Sequence, residues 1–328
     1  MFDISSLLKD KVRVIEKRSQ KVFQAIKESN RLPNRRKNSS PRDYESMSKP
    51  LFIFGSEGRK EGDLNWPMGI AVDPFTQNIV VANCNDLKIN IFDRNGKFIK
   101  SFRDDSKFIS NEFSYLSLAI DRQNRILVTN YNNHSILFYD QEGNFIKSFG
   151  RNGSMDGELN HPYGIAVDSL DRIIVGDYLN HRVQIFDDDG NHLKTFGRQG
   201  KGKGRFDGSW GVSVDHLDRI LVGDYGNSKL HVFDRDGNSL LLIGEMKGSP
   251  LRHLCYPYSF AVDHQNNIIV CDTHNQAIQV FDENGNHIKT IGGPGSFPGQ
   301  FNCPSGVVVD DQNRIIIADS GNHRIQVF

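Results

Sequence analysis

Six aspartates recur along the chain at a nearly fixed interval: Asp73, Asp121, Asp168, Asp215, Asp263 and Asp310, with steps of 48, 47, 47, 48 and 47 residues. Carboxylates at equivalent positions of a ring are one way to line a metal channel. The simpler chemistry is a turn, in which an Asp leaving a strand accepts N–H bonds from the residues after it. The other chemistry-bearing residues do not gather into a catalytic set. The histidines, 11 in all, fall almost entirely in turn-like segments, and none lies in the run that opens a repeat. No two neighbouring motifs build a Ser-His-Asp triad, and there is no Gly-x-Ser-x-Gly elbow. Gly200-Lys201-Gly202-Lys203-Gly204 is rich in glycine but lacks the spacing of a phosphate loop. Cys84, Cys255, Cys271 and Cys303 stand far apart, with no Cys-x-x-Cys and no His pair at zinc spacing. They read as small thiols in a reducing compartment. The expectation is no catalytic residue, no metal site and no cofactor.

The elements that must carry these residues are strands. In the unit 162–197, the runs 164–168, 172–176, 182–186 and 192–196 are rich in Ile, Val and Phe and are separated by Asp, Asn and Gly. Asn95-Gly96, Asp189-Gly190, Asp236-Gly237 and Asn284-Gly285 are hairpin signals between apolar runs. Four short strands per unit, repeated six times, predict an all-β fold: a six-bladed β-propeller occupying residues 51–328. The run Leu51-Phe-Ile-Phe-Gly55 sits 18 residues ahead of Asp73, as Gly150 does ahead of Asp168. Phe328 directly follows a third strand, so residues 51–54 are expected to supply the outer strand of the last blade and close the ring.

Ahead of the repeats, residues 1–30 are the helical candidate. Leu8, Ile15 and Val22 are spaced by sevens, with Val12 and Ile26 at the alternate heptad position. An amphipathic helix is expected there, either packed singly or self-associating as a coiled-coil remnant. Residues 31–50 are rich in Arg, Ser and Pro and are expected to form a flexible basic linker. The chain is neutral overall, which argues against a blanket polyanion binder. Residues 1–50 hold 13 Lys and Arg against 6 Asp and Glu, and the rest 27 against 34. No run is apolar enough to span a membrane and no leader precedes the helix, so a cytoplasmic protein is expected.

In a propeller, the loops entering the first strand and those joining the second to the third share one face. Five residues before each repeated Asp stand Met68, Leu116, Tyr163, Trp210, Tyr258 and Ser305. Ten residues after it stand Asn83, Tyr131, Tyr178, Tyr225, Thr273 and Ser320. Aromatics therefore occupy three consecutive blades in each series. Arg198, Lys201, Lys203 and Arg205 make one basic loop, and Arg151, Arg182, Lys229 and Arg252 fall on the same face. The acidic residues are expected largely in the opposite turns. Aromatic planes interleaved with cations suit RNA, stacking being worth about 1–3 kcal/mol per base. Tyr and Trp are equally good anchors for a protein partner. Both remain open, ahead of a metal-dependent hydrolase or lyase at the channel mouth; no DNA or membrane partner is expected.

Asn180-His181-Arg182-Val-Gln-Ile-Phe and Asn322-His323-Arg324-Ile-Gln-Val-Phe resemble the Asn-His-Leu motif of NHL repeats, as does the Pro-x-Gly-Ile-Ala-Val-Asp lead at Pro67 and Pro162. The other blades depart from the triplet, with Asp86-Leu87-Lys88, Asn133-His134-Ser135, Asn227-Ser228-Lys229 and Asn275-Gln276-Ala277. The resemblance extends to the propellers of tripartite-motif proteins, which select proteins or RNA stem-loops for ubiquitination or translational repression. It implies a recognition part without RING or B-box zinc clusters, unable to transfer ubiquitin alone.

Overall fold

The computed structural model describes residues 42–44, 47–103, 117–244 and 253–328. The helix expected in 1–30 and the rest of the basic segment lie outside these residues. Six four-stranded antiparallel sheets follow one another around a ring. Blade 3 is representative, with strands Pro162–Val167, Ile173–Asp177, Arg182–Phe186 and His192–Phe196 from the centre outwards. The second and third strands are nearly continuous Ile, Val and Phe and are buried, because each sheet is covered on both faces by its neighbours.

The six repeated aspartates cap turns. Asp168 Oδ1 accepts the N–H of Leu170 and of Arg172, both at 2.9 Å, while its Oδ2 takes Arg172 Nε at 2.6 Å. The other five accept the corresponding N–H bonds. In blades 2, 3 and 6 the arginine then reaches the next blade, as Arg172 Nη2 does to Arg235 O at 3.0 Å. One side chain closes a turn and ties two blades.

The inner strands approach closely enough to require glycine. A Cβ on Gly164 would stand 2.3 Å from the backbone N of Val212, and one on Gly211 2.0 Å from Tyr258 O. Substitution there pushes two backbones apart.

The ring closes as the strand pattern predicts. Phe52–Phe54 pairs antiparallel with Arg324–Val327, Phe52 facing Val327 and Phe54 facing Ile325. The described part of the expected linker is not a free tether, however. Tyr44 is 5% exposed and lies in the core cluster between blades 5 and 6 with Ile269, Ile278 and Phe328. Its hydroxyl donates to Asp263 Oδ2 at 2.6 Å, and Arg42 Nη2 donates to Phe328 O at 3.4 Å. Burial, with the Asp263 carboxylate beside it, pushes the Tyr44 hydroxyl pKa well up, so it remains a donor. The reason is topological. Blade 5 carries Asn267 where blades 2, 3 and 6 carry the bridging arginine, and blade 6 takes its outer strand from residues 52–54, so no turn joins its third strand to its fourth. Tyr44 and Arg42 occupy that gap.

Candidate recognition surface on the loop face

In four of the six blades the surface is built on one buried carboxylate, Asp177, Asp224, Asp272 or Asp319. In blade 3 this is Asp177, the last residue of the second strand. Its Oδ1 accepts Asn160 N–H at 2.6 Å, and its Oδ2 accepts Arg182 Nε at 2.7 Å, Asn180 Nδ2 at 2.9 Å and Gln184 Nε2 at 3.0 Å. Arg182 continues to the loop entering the blade, donating to the carbonyls of Ser154, Met155 and Glu158 at 2.8–2.9 Å. Blade 6 repeats the arrangement with Asp319, Asn322, Arg324 and Gln326. Blades 1 and 2, which have Lys88 and Ser135 in place of the arginine, carry neutral Asn83 and Asn130 in place of the aspartate. A buried carboxylate without its cation is costly, and among the described residues this aspartate–arginine pair is formed in blades 3 and 6. In blade 5, where Ala277 replaces the arginine, burial raises the pKa of Asp272.

The histidine of the motif has a separate task. His134, His181 and His323 hold φ near 53°, and each Nδ1 accepts a backbone N–H across the next seam. The donors are His161 at 3.0 Å, Gly208 at 3.0 Å and Trp66 at 3.2 Å. Acceptance at Nδ1 leaves the proton of the neutral ring on Nε2.

Around the channel mouth the rings form a belt. Tyr131 and Tyr163 lie 6.4 Å apart, Tyr163 and Trp210 4.7 Å, Trp210 and Tyr225 3.9 Å. Tyr178 and Tyr258 meet Trp210 at 5.1 and 5.0 Å. The expected aromatics are thus brought together, but not as free planes. Tyr163 is 5% exposed and its hydroxyl pKa is raised by burial; the other five are half-buried. Tyr256 extends the belt, 4.3 Å from Tyr225 and from His274. It belongs to a third series, of positive φ, with Trp66, His161, Gly208 and Cys303, which the two fixed offsets from the repeated Asp do not pick out. Asn83 does not belong to the belt. The first turn of blade 1 is a residue longer, so Cys84 takes that position, its thiol pKa pushed up to about 12 by burial. Leu116 and Arg252 lie outside the described residues.

The cations divide. Arg198, Lys201, Lys203 and Arg205 are exposed, and among the described residues none is in an ion pair. Lys229 is half-buried and likewise unpaired. Arg151, 80% exposed, pairs with Glu158 at 3.0 Å. Arg182 is 11% exposed and committed to its carboxylate and loop carbonyls, so it is a fold residue and not a free phosphate partner. Acid is not confined to the opposite turns either: Asp156, Glu158 and the exposed Asp207 sit on this face. Among the described residues, no three His, Cys, Asp or Glu side chains converge to hold a metal.

The sequence model of the NHL repeat matches residues 159–186, 254–281 and 301–328, so the chain carries NHL repeats within its propeller. A 62-residue stretch is 34% identical to the RING finger protein nhl-1 of Caenorhabditis elegans, covering 18% of this chain and 6% of that protein. Solved structures with the same architecture share little sequence. A Bacteroides thetaiotaomicron protein of unknown function aligns with a TM-score of 0.65 at 15% identity, over 84% of this chain and 74% of its own. A streptogramin B lyase aligns at 0.59 and 12% over 84% and 96%, and a Xanthomonas campestris gluconolactonase at 0.58 and 16% over 81% and 87%. These three likenesses establish the fold.

Proposed function

We propose that the chain is a non-catalytic recognition module that binds single-stranded RNA across blades 3 and 4 of its loop face. The observation that carries the reading is the loop 198–205, whose four cations are exposed and, among the described residues, in no ion pair. It leads along the chain into the strand of Trp210, 3.9 Å from Tyr225 by ring centroids. Cations without carboxylate partners are the ones able to exchange counterions for phosphates. Half-buried rings offer an edge or one face to a base while the belt fixes their orientation, and a fixed ring loses little freedom on stacking. The resemblance to tripartite-motif propellers is consistent with a recognition role, in the cytoplasm, for targets of ubiquitination or translational repression. The test is titration of a labelled uridine oligonucleotide at low and moderate salt, with wild type and the Lys201→Ala/Lys203→Ala/Arg205→Ala variant. Wild-type affinity should fall steeply with salt, and the variant should bind more weakly with a flatter slope. A folded triple variant that binds as wild type does removes this face from consideration.

A second reading, docking of a protein, is favoured by the loop tips of blades 3 and 6. Arg182 and Arg324 hold these tips so that Met155 and Phe297 stand 71% and 73% exposed. Rigidly presented large apolar residues suit a protein partner. Loss of a partner in pull-down on Met155→Ser or Phe297→Ser, with RNA binding absent, would select it.

A further inference from the structure

The basic loop of blade 4 lacks the side-chain clamp that holds its counterparts. In blade 3, besides the three carbonyl bonds of Arg182, Gln184 Nε2 donates to Glu158 O at 2.6 Å and its Oε1 accepts Gly157 N–H at 2.9 Å. In blade 6, Arg324 and Gln326 bind Ser296, Phe297, Gln300 and Gly299 in the same way. Lys229 and His231 stand at these positions in blade 4. Lys229 Nζ forms no hydrogen bond among the described residues, and a Cβ on Gly244 would lie 2.6 Å from it. His231 turns Nε2 to Asp224 Oδ2 at 3.2 Å, packs on the Phe206 ring at 4.8 Å, and buries an unpartnered Nδ1. Neither residue reaches the loop carbonyls.

What remains is the bond from Asn227 Nδ2 to Gly200 O at 2.9 Å and the hairpin bonds of the loop itself. At the tip, Gly202 and Gly204 have φ of 92° and 68°, and nothing lies within 4 Å of where their Cβ atoms would stand. Fork geometry explains the difference: a guanidinium meets several carbonyls at once, whereas an ammonium on a flexible stem does not. A loop held mainly by its own turn opens more readily than one clamped to the blade.

We propose that Lys229 and His231 are positioning residues that leave loop 198–205 untied, so that its ligand and not the blade orders it. The identity of that ligand, single-stranded RNA, rests on the reading above; the untied loop does not. Ordering on binding lowers affinity but lets Lys201, Lys203 and Arg205 turn to wherever the phosphates lie.

Hydrogen exchange on the full chain tests this, comparing 199–205 with 152–158 and 294–300. The blade 4 loop should exchange at least ~10-fold faster, a local opening. Lys229→Arg with His231→Gln, which restores the blade 3 set, should slow it to the rate of the other two while leaving their exchange unchanged. A uridine oligonucleotide should slow the wild-type loop and leave little further slowing in the double variant, whose loop is already held. Equal exchange in the three wild-type loops, or no slowing in the variant, overturns the proposal. Should the double variant not fold, Lys229→Arg alone is read in the same way. If the exchange rates differ as expected but the oligonucleotide protects nothing, RNA as the ligand fails and the positioning role stands.

Discussion

At the residue scale, the Asn-His-Arg-x-Gln signature is explained by the carboxylate it surrounds. Asp177 is fully enclosed, and Arg182, Asn180, Gln184 and the N–H of Asn160 account for its lone pairs. Removing Arg182 leaves a buried charge unpaired and takes one donor from each of three loop carbonyls. Arg182→Ala should therefore cost about 3–5 kcal/mol in urea unfolding, the range for breaking a buried pair. Arg151→Ala, whose pair is exposed, should cost under about 1 kcal/mol. His134 adds a pH dependence. Burial lowers the pKa of His134, and its Nδ1 must stay unprotonated to accept from His161. With a folded pKa below the unfolded value of about 6.5, the unfolded chain takes up the proton first. The stabilisation is therefore complete above that value and is lost as pH falls below it. Unfolding at pH 7.5 and 5.5 should show a smaller loss for His134→Gln than for wild type; an equal loss rules out this histidine as a source of the acid limb.

At the element scale, strand positions were legible because they obey local rules. The runs 182–186 and 192–196 coincide with the observed strands, and the closing strand follows from one apolar pentapeptide without a sheet of its own. What the pattern could not show was the segment before it. Residues 42–50 carry Arg, Ser and Pro, the composition of a tether, and only the missing blade 6 turn gives Tyr44 a place to go. The fixed spacing puts Asn83 in the aromatic register for a related reason, since a one-residue turn insertion is invisible to it. A chain beginning at Lys49 retains the closing strand but loses Tyr44, Arg42 and Met47. It should melt several degrees below one beginning at Pro41, while one beginning at Glu57 should aggregate. Tyr44→Phe isolates the hydroxyl and leaves Asp263 short of a partner, a loss of about 1–2 kcal/mol. Equal melting of the Lys49 and Pro41 chains would show that the strap contributes nothing to closure.

At the scale of the whole molecule, the same rings plug the channel mouth and form the proposed platform, so stability and binding have to be separated by burial. Periodic spacing placed the aromatics in one register, but it could not say that Tyr163 would turn inward among Trp210, Tyr258 and Met68. Truncating Tyr163 opens a cavity between blades and should cost about 3–5 kcal/mol of stability, as large aromatic deletions do. Tyr225 is half-buried, beside Trp210 and Tyr256 at 3.9 Å and 4.3 Å for the relevant ring pairs. Its loss should disturb the fold less. If it stacks on a base, Tyr225→Ala should weaken RNA binding by about 1–3 kcal/mol, by a similar factor at low and moderate salt. The basic-loop variants should weaken it mainly at low salt, because their contribution is counterion release. Asp188 lies in an outer turn on the opposite face, where its backbone carbonyl accepts Arg125 and Lys147. Asp188→Ala keeps that carbonyl and should leave affinity unchanged at either salt. A Tyr225→Ala loss that vanished at higher salt would mean that the ring only positions the basic loop, and that the belt is channel packing.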